Sequence, residues 1–237
     1  MAENPRGNCL YSVSIIICGF NAEKYLEFAI KSTINESKDD TEIIYYDDGS
    51  IDSSVKIANK YKDKLKIISS KHMGLGIARN NAVTSSRGNF LSFLDTDDLF
   101  TKGRVNELLS LFQKNPDLDI AFGSVAQFVD PDLGLKLSIN PQLIKNAMPG
   151  CYIGTMMIKK TSFLKVGMFK HDIDLAYFME WYARAEENGL KINKTDYPVV
   201  LRRIHSDNLG IRKRNSFLME HAKVIKAILD RRRKNQI

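Results

Sequence analysis

Hydrophobic positions in the first half of the chain switch repeatedly between two periods. VSIIIC (13–18) is an unbroken apolar run, the pattern of a strand buried on both faces. AEKYLEFAIKSTINES (22–37) then places Tyr25, Leu26, Ala29, Ile30 and Ile34 on one helical stripe. The alternation continues with a strand at EIIYY (42–46) and a helix at DSSVKIANKY (52–61), where Asp52 or Ser53 serves as N-cap. A third strand, LKIIS (65–69), precedes a third helix, GIARNNAVTSS (76–86). NFLSFL (89–94) is the fourth strand, and a helix from about 101 to 114 carries Val105, Leu108, Leu109 and Phe112. Strands alternating with helices at this spacing predict an α/β fold with a mostly parallel central sheet flanked by helices.

After residue 115 the rhythm changes. DIAFGSVAQFVD (119–130) and CYIGTMMIKK (151–160) read as strands, separated by the irregular DPDLGLKLSINPQLIKNAMPG (130–150). A helix at about 178–188, a strand at 197–201 and a basic helix from about 215 follow. No internal repeat or low-complexity linker interrupts the chain. It is expected to be one domain with a more variable second half.

The 237 residues suffice for one substantial core, and 43% hydrophobic with 27% charged residues is ordinary for a soluble domain. No apolar run has membrane-spanning length, and the opening MAENPRGN lacks a signal-peptide core. Cys9, Cys18 and Cys151 are odd in number, far apart and without metal-ligand spacing, so a reduced, cytoplasmic setting is expected. The net charge of +7 is concentrated late: Arg202, Arg203, Arg212, Lys213, Arg214, Lys223, Lys226 and the run from Arg231 to Lys234. That end could meet phosphate groups or the inner face of an anionic membrane, or form a solvated helix face. No aromatic-interleaved basic pattern points to nucleic acid.

Charge of the opposite sign gathers at strand ends. Asp47 and Asp48 follow the second strand, and Asp95, Asp97 and Asp98 follow the fourth. In an open parallel sheet, ligands bind beyond the carboxyl ends of the strands. Crowded carboxylates repel unless a cation compensates them, and hard oxygen ligands suit Mg²⁺ or Mn²⁺, which also bind substrate phosphates. Each acid has a structural alternative as well. Asp47 to Asp52 could form a turn and helix cap, and Asp98 could cap the following helix.

VSIIICGFN, EIIYYDDGSID, GLGIARNNAVTSSRGNFLSFLDTDD, EWYARAEENG and RRIHSDN, in that order, resemble the inverting family 2 glycosyltransferases of GT-A fold over roughly residues 12–210. The resemblance implies a single Rossmann-like domain with a nucleotide-sugar half at about 12–115 and an acceptor half at about 116–210, followed by a basic tail at 211–237. It implies a nucleoside-diphosphate sugar, UDP-linked, as donor, and a saccharide, lipid-linked or peptide acceptor. Cys18, Phe20, Asn21 and Asp48 would surround the nucleotide base, Asp95 would lie near the ribose, and Arg79 at the nucleotide side of the pocket. Asp97 would bind Mg²⁺ or Mn²⁺, with His205 as a further ligand. Glu180 would take the acceptor proton, with Asp172 and Asp174 as the other acids in that region. Trp181 would stack on the acceptor or fill core.

Other readings are a catalytically inactive relative, a basic module associating with membrane or nucleic acid, and a sugar nucleotidyltransferase. The last is disfavoured because CGFNAEKY lacks a Gly-rich basic loop after the first strand. GLGIAR likewise lacks the GK[ST] ending of a phosphate-binding P-loop.

Overall fold

The computed structural model describes residues 11–129 and 147–234. The expected alternation is present as β1 (Tyr11–Gly19), α1 (Leu26–Glu36), β2 (Thr41–Asp47), α2 (Ser54–Asn59), β3 (Lys66–Ser69), α3 (Leu75–Ser85) and β4 (Gly88–Asp95). These strands pair in parallel in the order β3-β2-β1-β4. The unbroken apolar run of β1 is explained by its two covers. Val13, Ile15 and Ile17 enter one core with Leu26, Ala29 and Ile30 of α1. Ile16 and Cys18 enter the opposite core with Ala78, Ala82 and Val83 of α3.

Beyond β4 the topology departs from simple repetition. A two-residue strand β5 (Leu99–Phe100) occupies the chain before α4 (Arg104–Lys114), so the helix expected from about 101 begins at Arg104. The strands β6 (Ile120–Val129), β7 (Met148–Pro149), β8 (Met156–Lys159) and β9 (Ile192–Ile204) complete a sheet ordered β3-β2-β1-β4-β8-β6-β9-β5, with β7 on β6. β8 is antiparallel to β4 and β6, β5 is antiparallel to β9, and β6 and β9 run parallel. The remaining helices are α5 (Lys160–Val166), α6 (Tyr177–Glu187), α7 (Leu209–Arg212) and α8 (Arg214–Lys234).

Two expectations need correction. The strand expected over 151–160 is confined to β8; Ile153–Thr155 forms a 3₁₀ turn, and Lys160 already opens α5. The Thr155 hydroxyl meets the carbonyls of Gly150 and Tyr152, 2.8 and 2.9 Å away, and so closes the turn. The strand expected over 197–201 is much longer, because Asn193, Lys194, Thr195 and Asp196 disguise its start while pairing with β6 still holds it. Residues 130–146 of the irregular segment, the N-terminal stretch with Cys9, and residues 235–237 lie outside the described residues.

Two features fix the sheet beneath the site. Register between β6 and β9 shifts around Gly123 and Ser124, and a Cβ at Gly123 would fall 2.3 Å from Cγ1 of Val199. Absence of a side chain there allows the close approach. Arg104 is fully buried, donating to the carbonyls of Gly154, Val199 and Met156 and to the Ser92 hydroxyl at 2.6–3.2 Å. Its guanidinium lies over the Phe100 ring at 3.8 Å, and burial pulls its pKa down to about 9.

Candidate active site

β1 and β2 end side by side, with Gly19 opposite Asp47. Asp48 is 1% exposed, and both its carboxylate oxygens are committed. They accept the backbone N–H groups of Met73 and Gly74, each at 2.9 Å, and one lies 2.9 Å from Nδ1 of His72. Asp48 therefore builds the loop between β3 and α3. Asp47 accepts from the Tyr45 hydroxyl and the Ser50 N–H at 3.2 and 3.1 Å. Asn21 sits at φ 50°, in the left-handed region that asparagine tolerates. Its side-chain oxygen accepts from Ile51 N–H, and its own N–H donates to the Ser50 hydroxyl, both at 2.9 Å.

Among the residues expected around a base, Phe20 presents an open aromatic face and stacks on His72 with ring centroids 4.0 Å apart. The Cys18 side chain instead packs into the core beneath α3, where burial pushes its thiol up to about 12. It lies under the rim and does not line it. The side-chain oxygens of Asn21 and Asp48 likewise serve the loops.

The turn after β4 is built differently. Asp95, paired with Cys18 across β1, forms an ion pair with Arg79 of α3. Arg79 is 1% exposed and also meets the hydroxyl of Tyr177 at the start of α6, so it is not a helix-surface arginine. Asp97 Oδ2 lies 3.1 Å from Nε2 of His205 and accepts from the Asn208 side-chain amide at 3.1 Å. Asn208 Oδ1 in turn accepts the His205 N–H at 2.8 Å and fixes that loop.

Arg203 supports the turn from below. Its Nε donates to the Asp97 carbonyl at 3.0 Å, and its guanidinium packs over the rings of Tyr25 and Phe128. Asp98, expected as a helix cap, is buried and accepts from Arg203 N–H at 2.9 Å and the Tyr152 hydroxyl at 3.3 Å. Burial, reinforced by Asp97 and Asp95, raises its carboxyl well above the usual range. Asp95 and Asp97 remain about a third open, with side chains 33% and 29% exposed.

Among the described residues, no group of three or more His, Cys, Asp or Glu side chains could hold a metal ion. Asp97 and His205 nevertheless stand side by side, and Nδ1 of His205 is buried without a hydrogen-bond partner. This pair fits Mg²⁺ or Mn²⁺ as a two-point anchor, because such a cation takes its remaining ligands from phosphates and water.

Glu180 is 2% exposed. Its carboxylate lies 3.0 Å from Lys170 Nζ, 3.0 Å from Arg184 Nε and 3.5 Å from Arg231 of α8. The acid expected to act as base is thus enclosed by three cations, and its carboxylate oxygens are occupied by them. Trp181 fills core: it is fully buried, stacks on Phe163 and donates Nε1–H to the Gly167 carbonyl at 2.7 Å. Asp174 is more open. It lines a cavity of about 380 Å³ together with His72, Gly74, Lys170 and His171.

His72, Tyr177 and Asn208 were not singled out by the sequence reading. Asn208 closes the segment RRIHSDN and is legible there as an amide three residues after a histidine. Tyr177 and His72 carry no local signal, because their roles arise from contacts with Arg79 and with Asp48 and Phe20.

A parallel α/β half whose rim carries this acidic turn defines a GT-A glycosyltransferase domain. S. aureus TarS 1-349, solved in complex with UDP-GlcNAc, superposes with a TM-score of 0.65 at 21% identity, covering 83% of this chain and 60% of that one. The mannosyltransferase PcManGT from Pyrobaculum calidifontis, solved with GDP-Man and Mn²⁺, gives 0.68 at 16% identity, covering 90% of this chain and 64% of that one. Residues 14–170 match the family model described as Glycosyl transferase family 2, and the chain belongs to that family. The cholesterol galactosyltransferase of Borreliella burgdorferi is 43% identical over 91 residues, 37% of this chain and 25% of that protein. The chondroitin synthase of Escherichia coli is 29% identical over 230 residues, 92% of this chain and 33% of that protein. The chain therefore spans a third or less of the length of these two relatives.

Proposed function

We propose that the chain transfers a sugar, with inversion, from a UDP-linked donor to an acceptor hydroxyl in polysaccharide or glycoconjugate synthesis. The observation that carries this reading is the paired arrangement at the end of β4: Asp95 braced by Arg79 and Tyr177, and Asp97 beside His205 and Asn208. The family, the UDP-GlcNAc complex of TarS and the GDP-Man and Mn²⁺ complex of PcManGT support the same chemistry.

Donor binding is assigned to the half up to about residue 115. The base stacks at Phe20 above the loops shaped by Asn21 and Asp48, and Asp95 faces the ribose. Asp97 and His205 would hold Mg²⁺ or Mn²⁺, which would neutralise charge on the departing diphosphate. Asp95 and Arg79 hold the donor so that the acceptor oxygen approaches the anomeric carbon from the opposite side. A bond forms from that oxygen to carbon as the carbon–oxygen bond to the diphosphate breaks, and the electron pair leaves with the nucleoside diphosphate.

A carboxylate must take the acceptor proton. Glu180 is the first expectation, but it is 2% exposed beneath Lys170, Arg184 and Arg231, and we read it as a positioning group that steadies α6. Asp174, open to the cavity and 3.3 Å from Lys213, is the better candidate. General-base loss costs about 10²–10⁴-fold in turnover. Asp174→Asn is expected to lose that much while binding donor normally, whereas Glu180→Gln lowers thermal stability and leaves more activity. The reverse ranking of turnover would return the base to Glu180.

The direct test is a thermal-shift screen of nucleotide sugars with and without Mn²⁺, since a ligand that binds the folded state raises its melting temperature. A rise with a UDP-sugar that needs Mn²⁺ and disappears in Asp97→Asn is expected. No rise with any nucleotide sugar in the presence of Mn²⁺ overturns the reading.

A further inference from the structure

Helix α8 has two faces with different fates. On the inner face, Val224 and Ile228 are buried against Ala183 of α6 and Ala176 just before it. Glu220 accepts the N–H groups of Leu175 and Ala176 at 2.6 and 2.8 Å, just ahead of α6. Arg231 pairs with Glu180 and Glu187, and Arg232 with Glu186 and Glu187. Half of the basic run Arg231–Lys234 is thereby paired with acids of α6, so that run is not a free cationic tail.

The outer face carries Leu218, Ala222, Ile225 and Leu229, at i, i+4, i+7 and i+11, a single stripe along a helix. Leu218 is 58% exposed, Ile225 and Leu229 are each 48% exposed, and Met219 beside them is 63% exposed. Lysines and arginines flank the stripe. Arg214, Lys223 and Lys226 are exposed and have no carboxylate partner among the described residues.

We propose that this outer face of α8 lies on an anionic lipid bilayer as an interfacial amphipathic helix. The apolar stripe enters the boundary between headgroups and acyl chains, and the flanking cations meet lipid phosphates. A second copy of the chain is a poorer occupant. The exposed Arg214, Lys223 and Lys226 border the stripe, so pairing two such faces sets like charges together. Contact is peripheral, because no helix among the described residues is long and apolar enough to cross a membrane. Lys213, immediately before α8, pairs with Asp174 of the cavity, so the N-terminal end of α8 adjoins the candidate acceptor side. The surface itself does not depend on the proposed transfer reaction.

The test is co-sedimentation of the full chain with vesicles of phosphatidylglycerol and phosphatidylcholine, against pure phosphatidylcholine, at low and high salt. Binding only to the anionic vesicles, weakened by salt, is expected. Leu218→Ser with Ile225→Ser and Leu229→Ser should weaken it about tenfold or more, since interfacial binding scales with buried apolar area. Lys223→Glu with Lys226→Glu, which leaves the apolar residues in place, should do the same with an unchanged melting temperature. Retained donor-induced thermal shift in both variants separates this loss from any failure of donor binding. Absence of wild-type binding, equal binding to neutral vesicles, or unchanged vesicle binding in both variants overturns the proposal. So does a wild-type dimer in light scattering that the serine variant converts to monomer without loss of vesicle binding.

Discussion

Two acidic clusters end strands on either side of β1, and they behave in opposite ways. Asp47 and Asp48, after β2, are 2% and 1% exposed, and their oxygens are taken by backbone N–H groups, a tyrosine hydroxyl and His72. Asp95 and Asp97, at the end of β4, keep about a third of their side-chain surface open, and among the described residues their carboxylates meet the side chains of Arg79, His205 and Asn208. Amides can neutralise a carboxylate as thoroughly as a cation does. Crowding of acids at a strand end therefore does not by itself mark a metal site. What distinguishes the two is the number of oxygens left over after the local backbone has been served.

Substitution separates the clusters. Asp97→Asn should reduce turnover by about 10³-fold, the scale of losing one electrostatic stabiliser of a transition state, with little change in melting temperature. Steady-state assay and calorimetry on one preparation check it; a large fall in melting temperature with activity retained would erase the distinction. Asp48→Asn should show the inverse pattern. Loss of charge-assisted bonds to two backbone amides costs about 2–3 kcal/mol, or about 5–10 °C in melting temperature for a domain of this size, with turnover of the folded fraction changed far less. The smallest effect is expected at the boundary, where His72→Ala removes the partner of Phe20. Loss of a stacked ring is worth about 0.5–1.5 kcal/mol, so UDP affinity measured calorimetrically should fall by about two- to tenfold. An unchanged affinity would detach the Phe20–His72 pair from the nucleotide site.

The parallel half was legible because its physics is local. A strand covered on both faces must be apolar throughout, and VSIIIC announces that without reference to anything distant. The acids after β4 were legible for a related reason, since they follow such a strand directly. Asp98 was misread because its partners, Arg203 N–H and the Tyr152 hydroxyl, come from far along the chain. The enclosure of Glu180 was not legible for the same reason, its charge environment being completed by Lys170 and by Arg231 of α8. β9 was cut short because its first residues are polar, and only pairing with β6 makes them a strand. Side chains whose environment is assembled by tertiary contacts left no periodic trace to read.

Gly123 gives β9 a further meaning. A sheet is usually the bench on which loops work as instruments, but β9 is the arm of the instrument, since His205 stands at its very tip, one residue past Ile204. The arm is zeroed at the irregularity beside Gly123, far in sequence from either acidic turn. Sliding it by one residue would advance the tip by about 3.3 Å and exchange its two faces, enough to take the imidazole away from Asp97. A single methyl group at position 123 would thus act as a calibration error, felt at the carboxylate it never touches.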